Sequence, residues 1–306
     1  MHPAWSVILF TVLAGLGQGF FLMALRAASL GAEAKHLAIG GFACVVLLAA
    51  GLACSFFHLG HPLRAWRALA MWRTSWLSRE VIVLPLTIAA IAAWSLAQWQ
   101  GWAAAEWIGI AGVILVFALW FCTAMIYACI RFLREWAHPL TIVNFVLLGW
   151  MSGATAFAAY WHALYGAGEG ALWIVAALSL TIAGAVARII SLARNRSLKP
   201  LSTAQSALGV KNARLRQMSQ GTTGGSFNTR EFFHGKSALV VQNVKWIALA
   251  LAFALPLVLL AWARIQPGFG LIAVAALSQV LGLVAERWLF FAQANHPQNI
   301  YYQAVA

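Results

Sequence analysis

The residues best placed for chemistry lie in one segment, 56–80, which reads FFHLGHPLRAWRALAMWRTSWLSRE. A glycine and a proline should end an apolar helix just after His58, which leaves the imidazole at a helix C-terminus, where the dipole favours a protonated or hydrogen-donating ring. Ser78 is a candidate N-cap for the next helix and sets Glu80 in its first turn. We therefore predict that His58 and Glu80 face each other across a short loop at the membrane interface.

Together these two groups supply what a quinone needs. A hydrogen-bond donor can bind one quinone oxygen, and a partly buried carboxyl group can carry protons between the site and water. A single histidine at a helix end is also commonly a cap or a hydrogen-bonded structural group. The pattern therefore favours a quinone site but leaves the structural interpretation of His58 open.

A second set of ionisable residues lies in apolar sequence near the end of the chain. Glu286 is followed by the apolar residues 288–292, which places it inside a membrane-spanning stretch, where an ionisable group is costly and usually paired or functional. The structural interpretation is an ion pair with Arg287 or Arg188. The functional interpretation is a group that carries protons.

The elements that must position these residues are transmembrane helices. Of the 306 residues, 63% are apolar and 9% are charged, whereas soluble domains are roughly half apolar and a quarter charged. Uncharged apolar stretches recur at close to the ~20 residues that cross a bilayer. We predict an all-α polytopic membrane protein, a single integral domain over 1–306 built as a bundle of eight transmembrane helices, at 4–25, 37–57, 81–98, 107–130, 140–160, 170–192, 240–263 and 268–292.

The formal charge of +13 is unevenly distributed. Eight spans place both termini and the even-numbered loops on one face, and most of the 20 basic residues fall there. By the positive-inside rule, the termini and the even loops are cytoplasmic, which predicts a multi-pass protein of the bacterial inner membrane in contact with lipid. This distribution makes a nucleic-acid partner the weaker explanation of the charge.

One long polar segment, 193–239, is predicted to be a basic cytoplasmic loop. Its Gly/Ser/Thr-rich middle favours a flexible linker. Its three phenylalanines, Phe227, Phe232 and Phe233, favour instead a docking surface for a cytoplasmic partner, since such residues are unusual in a freely solvated linker. The sequence leaves both interpretations open.

The chain offers no ligand set for a redox centre. None of its eight histidines lies in the middle of a predicted span, and its four cysteines have no CxxC or Cys/His spacing. We predict no metal, no haem and no iron–sulfur cluster in this chain, which would then be non-catalytic alone. Any electron it handles must pass directly between a bound quinone and a cofactor in another subunit.

The sequence resembles the membrane anchor subunits of dimethyl sulfoxide reductase-type molybdoenzymes. Four motifs carry the resemblance: Gly-Gln-Gly at 17–19, HLGxPxRA at 58–65, Ser-x-Glu at 78–80 and Glu-Arg at 286–287. The resemblance implies a quinone, menaquinone or ubiquinone, as exchangeable substrate, with His58, Glu80 and Arg64 at its site. It also implies two partners, a four-cluster ferredoxin-like iron–sulfur subunit and a molybdopterin catalytic subunit.

One feature differs from the enzyme that gives the family its name. Dimethyl sulfoxide reductases export their catalytic subunits, whereas here the His58 face is the basic, cytoplasmic one. With the long sixth loop, this resembles the sulfite dehydrogenase branch, whose catalytic subunits stay in the cytoplasm, and it predicts sulfite oxidation coupled to quinone reduction. The alternatives are the same role in quinol-driven dimethyl sulfoxide reduction, a small-anion transporter, and an anchor without a quinone site.

Overall fold

The structure is a computed structural model that describes residues 3–57, 61–166, 170–199, 203–211, 214–215, 238–266 and 268–294. Within these ranges it is helical and contains no strand. Eight helices are long and apolar enough to cross a bilayer, which confirms the predicted all-α bundle. The eight spans are α1 (Trp5–Ser29), α2 (Ala34–Phe56), α3 (Trp76–Gln100), α4 (Ala105–Ala128), α5 (Pro139–Tyr165), α6 (Ala171–Ser197), α8 (Leu239–Ile265) and α9 (Phe269–Ala292). A short helix, α7 (Ala204–Leu208), lies between α6 and α8.

The helices extend beyond several of the predicted spans. α3 begins at Trp76 instead of residue 81, and its N-cap is Ser75, whose hydroxyl accepts the N–H of Ser78 at 3.4 Å. The prediction that Ser78 caps this helix was therefore wrong. α6 runs to Ser197 and includes the first residues of the predicted 193–239 loop. The phenylalanines of that loop lie outside the described residues.

Glycines allow a very close contact between α1 and α5. A Cβ atom at Gly19 would lie 2.3 Å from the Gly149 carbonyl oxygen, and one at Gly153 would lie 2.1 Å from the Phe20 nitrogen. Gly15 and Gly19 on α1, like Gly149 and Gly153 on α5, have the four-residue spacing that lets membrane helices pack backbone to backbone. These two helices are the most buried spans and form the centre of the bundle.

A π-helical turn, Ala250–Ala254, interrupts α8 and ends two residues before Pro256. Proline has no N–H, so the Ala252 carbonyl lacks the donor that would normally lie four residues ahead. The Gln279 amide of α9 donates to this carbonyl at 3.3 Å and to the Thr181 hydroxyl of α6 at 3.1 Å. One side chain thus replaces a missing backbone hydrogen bond and joins three helices.

The outer surface of the bundle is apolar, as a surface in contact with lipid must be. Val46, Ile114 and Val258 are large exposed side chains in the middle parts of α2, α4 and α8. Exposed tryptophans such as Trp99 and Trp107 lie near the ends of spans, where aromatic belts form in membrane proteins. With the eight spans, these features describe a multi-pass membrane protein.

Candidate functional site

Glu80 is the buried carboxyl group of the candidate site. It lies in the second turn of α3 and is only 6% exposed. The Thr123 hydroxyl of α4 donates a hydrogen bond to its Oε1 atom. A buried carboxyl group is costly unless hydrogen bonds satisfy it, so α3 and α4 together hold this group in place near one end of the bundle.

Arg79 organises the chain that leads into α3. A 3₁₀-helix, Pro62–Met71, lies between α2 and α3. After it, Arg79 Nε donates to the Trp72 carbonyl at 2.9 Å and Nη2 donates to the Arg73 carbonyl at 2.8 Å. The Arg79 guanidinium also lies 4.1 Å from the centre of a Trp76 ring, a cation–π contact. These contacts fold the incoming segment back against the start of α3.

Arg64 and His58 are the other two residues of the predicted quinone site. The side chain of Arg64 is exposed on the 3₁₀-helix, and the ion pairs between described residues do not include it. His58 lies outside the described residues, so its approach to Glu80 stays a prediction. Next to this gap the chain is apolar and exposed, with Phe57 at 86% and Leu63 at 94% exposure.

Glu286, Arg188 and Arg287 form one buried cluster, called here the ion triad. Arg188 Nε lies 2.8 Å from Glu286 Oε1, and Arg287 Nε lies 2.6 Å from Glu286 Oε2. All three side chains are at most 5% exposed. The sequence suggested Arg287 or Arg188 as the partner, and the structure uses both. The triad therefore holds two cations around one anion.

Aromatic rings hold Arg287 against its carboxylate. The guanidinium lies 4.3 Å from the ring centre of Phe145 and 5.3 Å from that of Phe290. The Trp136 indole N–H in turn donates to the Phe290 carbonyl at 2.9 Å. Because the faces of aromatic rings carry negative potential, these contacts offset part of the excess positive charge of the ion triad.

A cavity of about 420 Å³, including its opening, lies between α1, α4, α5 and α9. Thr123, the partner of Glu80, and Arg287 of the ion triad both line it. Ser152 and Gln18 add polar groups, and the Gln18 amide donates to a backbone carbonyl of α4 at 3.1 Å. The cavity is therefore mostly apolar, with a few polar groups, and it lies between the hydrogen-bond partner of Glu80 and one arginine of the ion triad.

Comparison with known proteins identifies the family. Residues 1–292 match the family described as the DMSO reductase anchor subunit (DmsC). The chain belongs to this family. A relative from Allochromatium vinosum, the C subunit of a sulfite dehydrogenase, is 46% identical over 327 aligned positions that cover 100% of both chains. Membership of the DmsC family confirms the resemblance carried by the four motifs and makes the chain a membrane anchor subunit.

Sequence reasoning missed two polar contacts of this DmsC-family site. Thr123 was not singled out because a threonine in an apolar helix commonly bonds the backbone of its own helix. Ser191, which accepts a hydrogen bond from the Asn144 amide at 2.6 Å beside the ion triad, was missed for the same reason. Only the packing of α3 on α4, and of α5 on α6, gives these hydroxyls a role beyond their own helix.

Proposed function

We propose that this DmsC-family anchor is the quinone-reactive subunit of a three-subunit oxidoreductase and passes electrons from a partner's iron–sulfur cluster to quinone during sulfite oxidation. The proposed partners are a four-cluster ferredoxin-like subunit and a molybdopterin catalytic subunit. Whole-chain similarity to the sulfite dehydrogenase relative supports the substrate. The quinone role depends on one observation, the Glu80 carboxyl group that is buried near the end of the bundle and hydrogen-bonded to Thr123.

Reduction of a quinone to a quinol takes up electrons and protons in equal number. In this proposal two electrons come from the partner's cluster, one at a time. Glu80 gives one proton to one quinone oxygen and recovers it from water, and the second proton reaches the other oxygen from water by way of His58. The Thr123 hydroxyl keeps the carboxyl group in one orientation, which general acid catalysis requires. His58 donates a hydrogen bond to the other oxygen, and Arg64 favours the negative charge that develops there.

The surface beside Glu80 suits a lipid-soluble substrate. Phe57 and Leu63 lie on either side of His58 in the sequence and are largely exposed, and Trp66 on the 3₁₀-helix is 67% exposed. Such a surface can receive the apolar tail of a quinone at the membrane boundary, while the head group reaches the polar residues. Arg67 and Arg73 on the same segment add positive charge that would face a docked iron–sulfur subunit.

The site is tested by comparing two activities of the purified complex. We expect His58→Ala and Glu80→Gln to lower sulfite-dependent quinone reduction at least about 100-fold, in the range of a lost general acid, while sulfite oxidation with an artificial dye stays normal. Glu106→Gln is the matched control, because Glu106 is an exposed carboxylate at the opposite end of α4 from Thr123. Normal quinone reduction by both variants would show that the site is elsewhere.

The orientation in the membrane is a separate part of the proposal. We place both termini and the even-numbered loops, including 193–239, in the cytoplasm of a bacterial inner membrane, because most basic residues lie on that side. Green fluorescent protein fused after residue 306 should be fluorescent, and alkaline phosphatase at the same point should be inactive. A phosphatase fusion at Trp102, between α3 and α4, should be active. The opposite pattern would place the Glu80 end outside.

Three experiments separate this function from the alternatives. Reduction of dimethyl sulfoxide with quinol, without sulfite oxidation, would assign the complex to the reverse direction of electron flow. Uptake of small anions into proteoliposomes that contain this chain alone would instead favour a transporter. We expect neither result, and we expect a quinone analogue to bind the complex, which a purely structural anchor would not do.

A further inference from the structure

A second cleft, separate from the Glu80 site, opens where the ends of α5, α6 and α9 meet. It encloses about 310 Å³, including its mouth, and Arg188 and Arg287 of the ion triad line its inner part. Arg194, which follows Arg188 on α6, lines it farther out, and Glu135 lies at the same cleft. Three guanidinium groups and two carboxylates surround the cleft, and one of the carboxylates is Glu286 of the ion triad. The cleft therefore has one positive charge in excess.

Three polar atoms of residues that line this cleft have no hydrogen-bond partner among the described residues: Arg188 Nε, Arg188 Nη2 and Asn144 Oδ1. Arg188 Nε is ion-paired with Glu286, which leaves Arg188 Nη2, a charged donor, and Asn144 Oδ1, an acceptor. Both side chains are more than nine-tenths buried. The Asn144 amide nitrogen is already used, since it donates to Ser191 and to the Leu140 carbonyl. A buried charged donor without an acceptor is costly, so a ligand that provides one is favoured.

His138 does not add to the positive charge of the cleft. It lies just before α5, where its Nδ1 accepts the N–H of Leu140 at 3.2 Å. Desolvation, followed by the nearby Arg194 guanidinium, lowers the pKa of His138 below its usual value. The Nδ1 atom that accepts the Leu140 N–H carries no proton, so the excess positive charge of the cleft belongs to the arginines.

We propose that this cleft binds a phosphate-type oxyanion that also carries a hydroxyl group. The oxyanion would accept from Arg188 and Arg194, and the hydroxyl would donate to Asn144. Both the headgroup of phosphatidylglycerol and inorganic phosphate have this chemistry. Basic pockets between membrane helices are known binding sites for anionic lipid headgroups, and arginine is well suited to phosphate. An anion here would balance the second cation of the ion triad.

Thermal unfolding of the full-length chain in phosphate-free detergent tests the proposal. Phosphatidylglycerol, zwitterionic phosphatidylcholine and inorganic phosphate are titrated separately against the wild type, Arg188→Lys and Arg194→Gln. Arg188→Lys keeps a cation beside Glu286, so it tests the site without removing the charge balance. Arg131→Gln is the matched control, because Arg131 is exposed at the same end of the bundle and does not line the cleft.

We expect phosphatidylglycerol, inorganic phosphate or both to raise the melting temperature of the wild type and of Arg131→Gln. In Arg188→Lys and Arg194→Gln, the concentration of this ligand that gives half of the stabilisation should rise about tenfold or more, because one charge-assisted hydrogen bond is lost. A response to phosphatidylglycerol alone assigns a lipid, and a response to inorganic phosphate assigns a free anion. An equal response in all variants, an equal response to phosphatidylcholine, or no response at all would overturn the proposal.

Discussion

Substitutions in the ion triad should change the free energy of unfolding by amounts, and in one case with a sign, that follow from its charges. In Glu286→Gln the guanidinium groups of Arg188 and Arg287 lose their shared carboxylate, although both are at most 5% exposed. Leaving a buried charge without its partner costs about 3–5 kcal/mol. In Arg188→Met the Glu286–Arg287 pair survives at 2.6 Å. The loss is then that of one charged hydrogen-bonding contact, about 1.5–3 kcal/mol.

The double variant distinguishes this reasoning from a simple count of lost contacts. When Glu286 is already glutamine, Arg188 is an unbalanced cation close to Arg287, so replacing it with methionine should remove a repulsion. We therefore expect Arg188→Met combined with Glu286→Gln to be more stable than Glu286→Gln alone. If contacts alone mattered, the second substitution would be neutral or harmful.

The assay is thermal unfolding of the full-length chain in phosphate-free detergent, followed by intrinsic tryptophan fluorescence. With about 2 °C for each kcal/mol, the lower end for larger domains, Glu286→Gln should lower the melting temperature by roughly 6–10 °C and Arg188→Met by roughly 3–6 °C. Arg131→Gln, an exposed arginine at the same end, should change it little. A double variant less stable than Glu286→Gln would refute the charge argument.

Three further predictions follow from single contacts. Thr123→Val removes the donor to Glu80 with little change in side-chain shape, so quinone-linked turnover should fall about tenfold with dye-linked turnover unchanged. Thr155→Val is the control, because the Thr155 hydroxyl donates to the Met151 carbonyl of its own helix, and equal effects would contradict the role of Thr123. Gly153→Ala places a Cβ atom 2.1 Å from the backbone of α1 and should lower the unfolding free energy by about 1–3 kcal/mol in thermal melts. Gly270→Ala is the control, because open space surrounds Gly270, and similar melting temperatures for the two variants would contradict the close packing. Gln279→Leu leaves the Ala252 carbonyl without its donor and should lower stability by about 1–2 kcal/mol, and an unchanged melting temperature would show that the π-helical turn needs no support from α9.

The sequence by itself determined the class of protein and the general positions of its helices. Stretches of about 20 apolar residues without charges have one stable arrangement in lipid, because only a helix satisfies every backbone group within the segment. The same reasoning singled out Glu286, since an ionisable residue inside such a stretch is expensive. Four local motifs were specific enough to indicate the family without any knowledge of the helix packing.

Only the tertiary structure decided which polar groups meet. Whether Glu286 pairs with Arg188, Arg287 or both depends on where the bundle places α6 relative to α9, and neither segment alone specifies that arrangement. The partner of Glu80 is Thr123, 43 residues away on α4, a contact set by the crossing of two helices. Helical spacing fixes the face on which a residue lies, whereas the neighbour of that face is a property of the whole bundle.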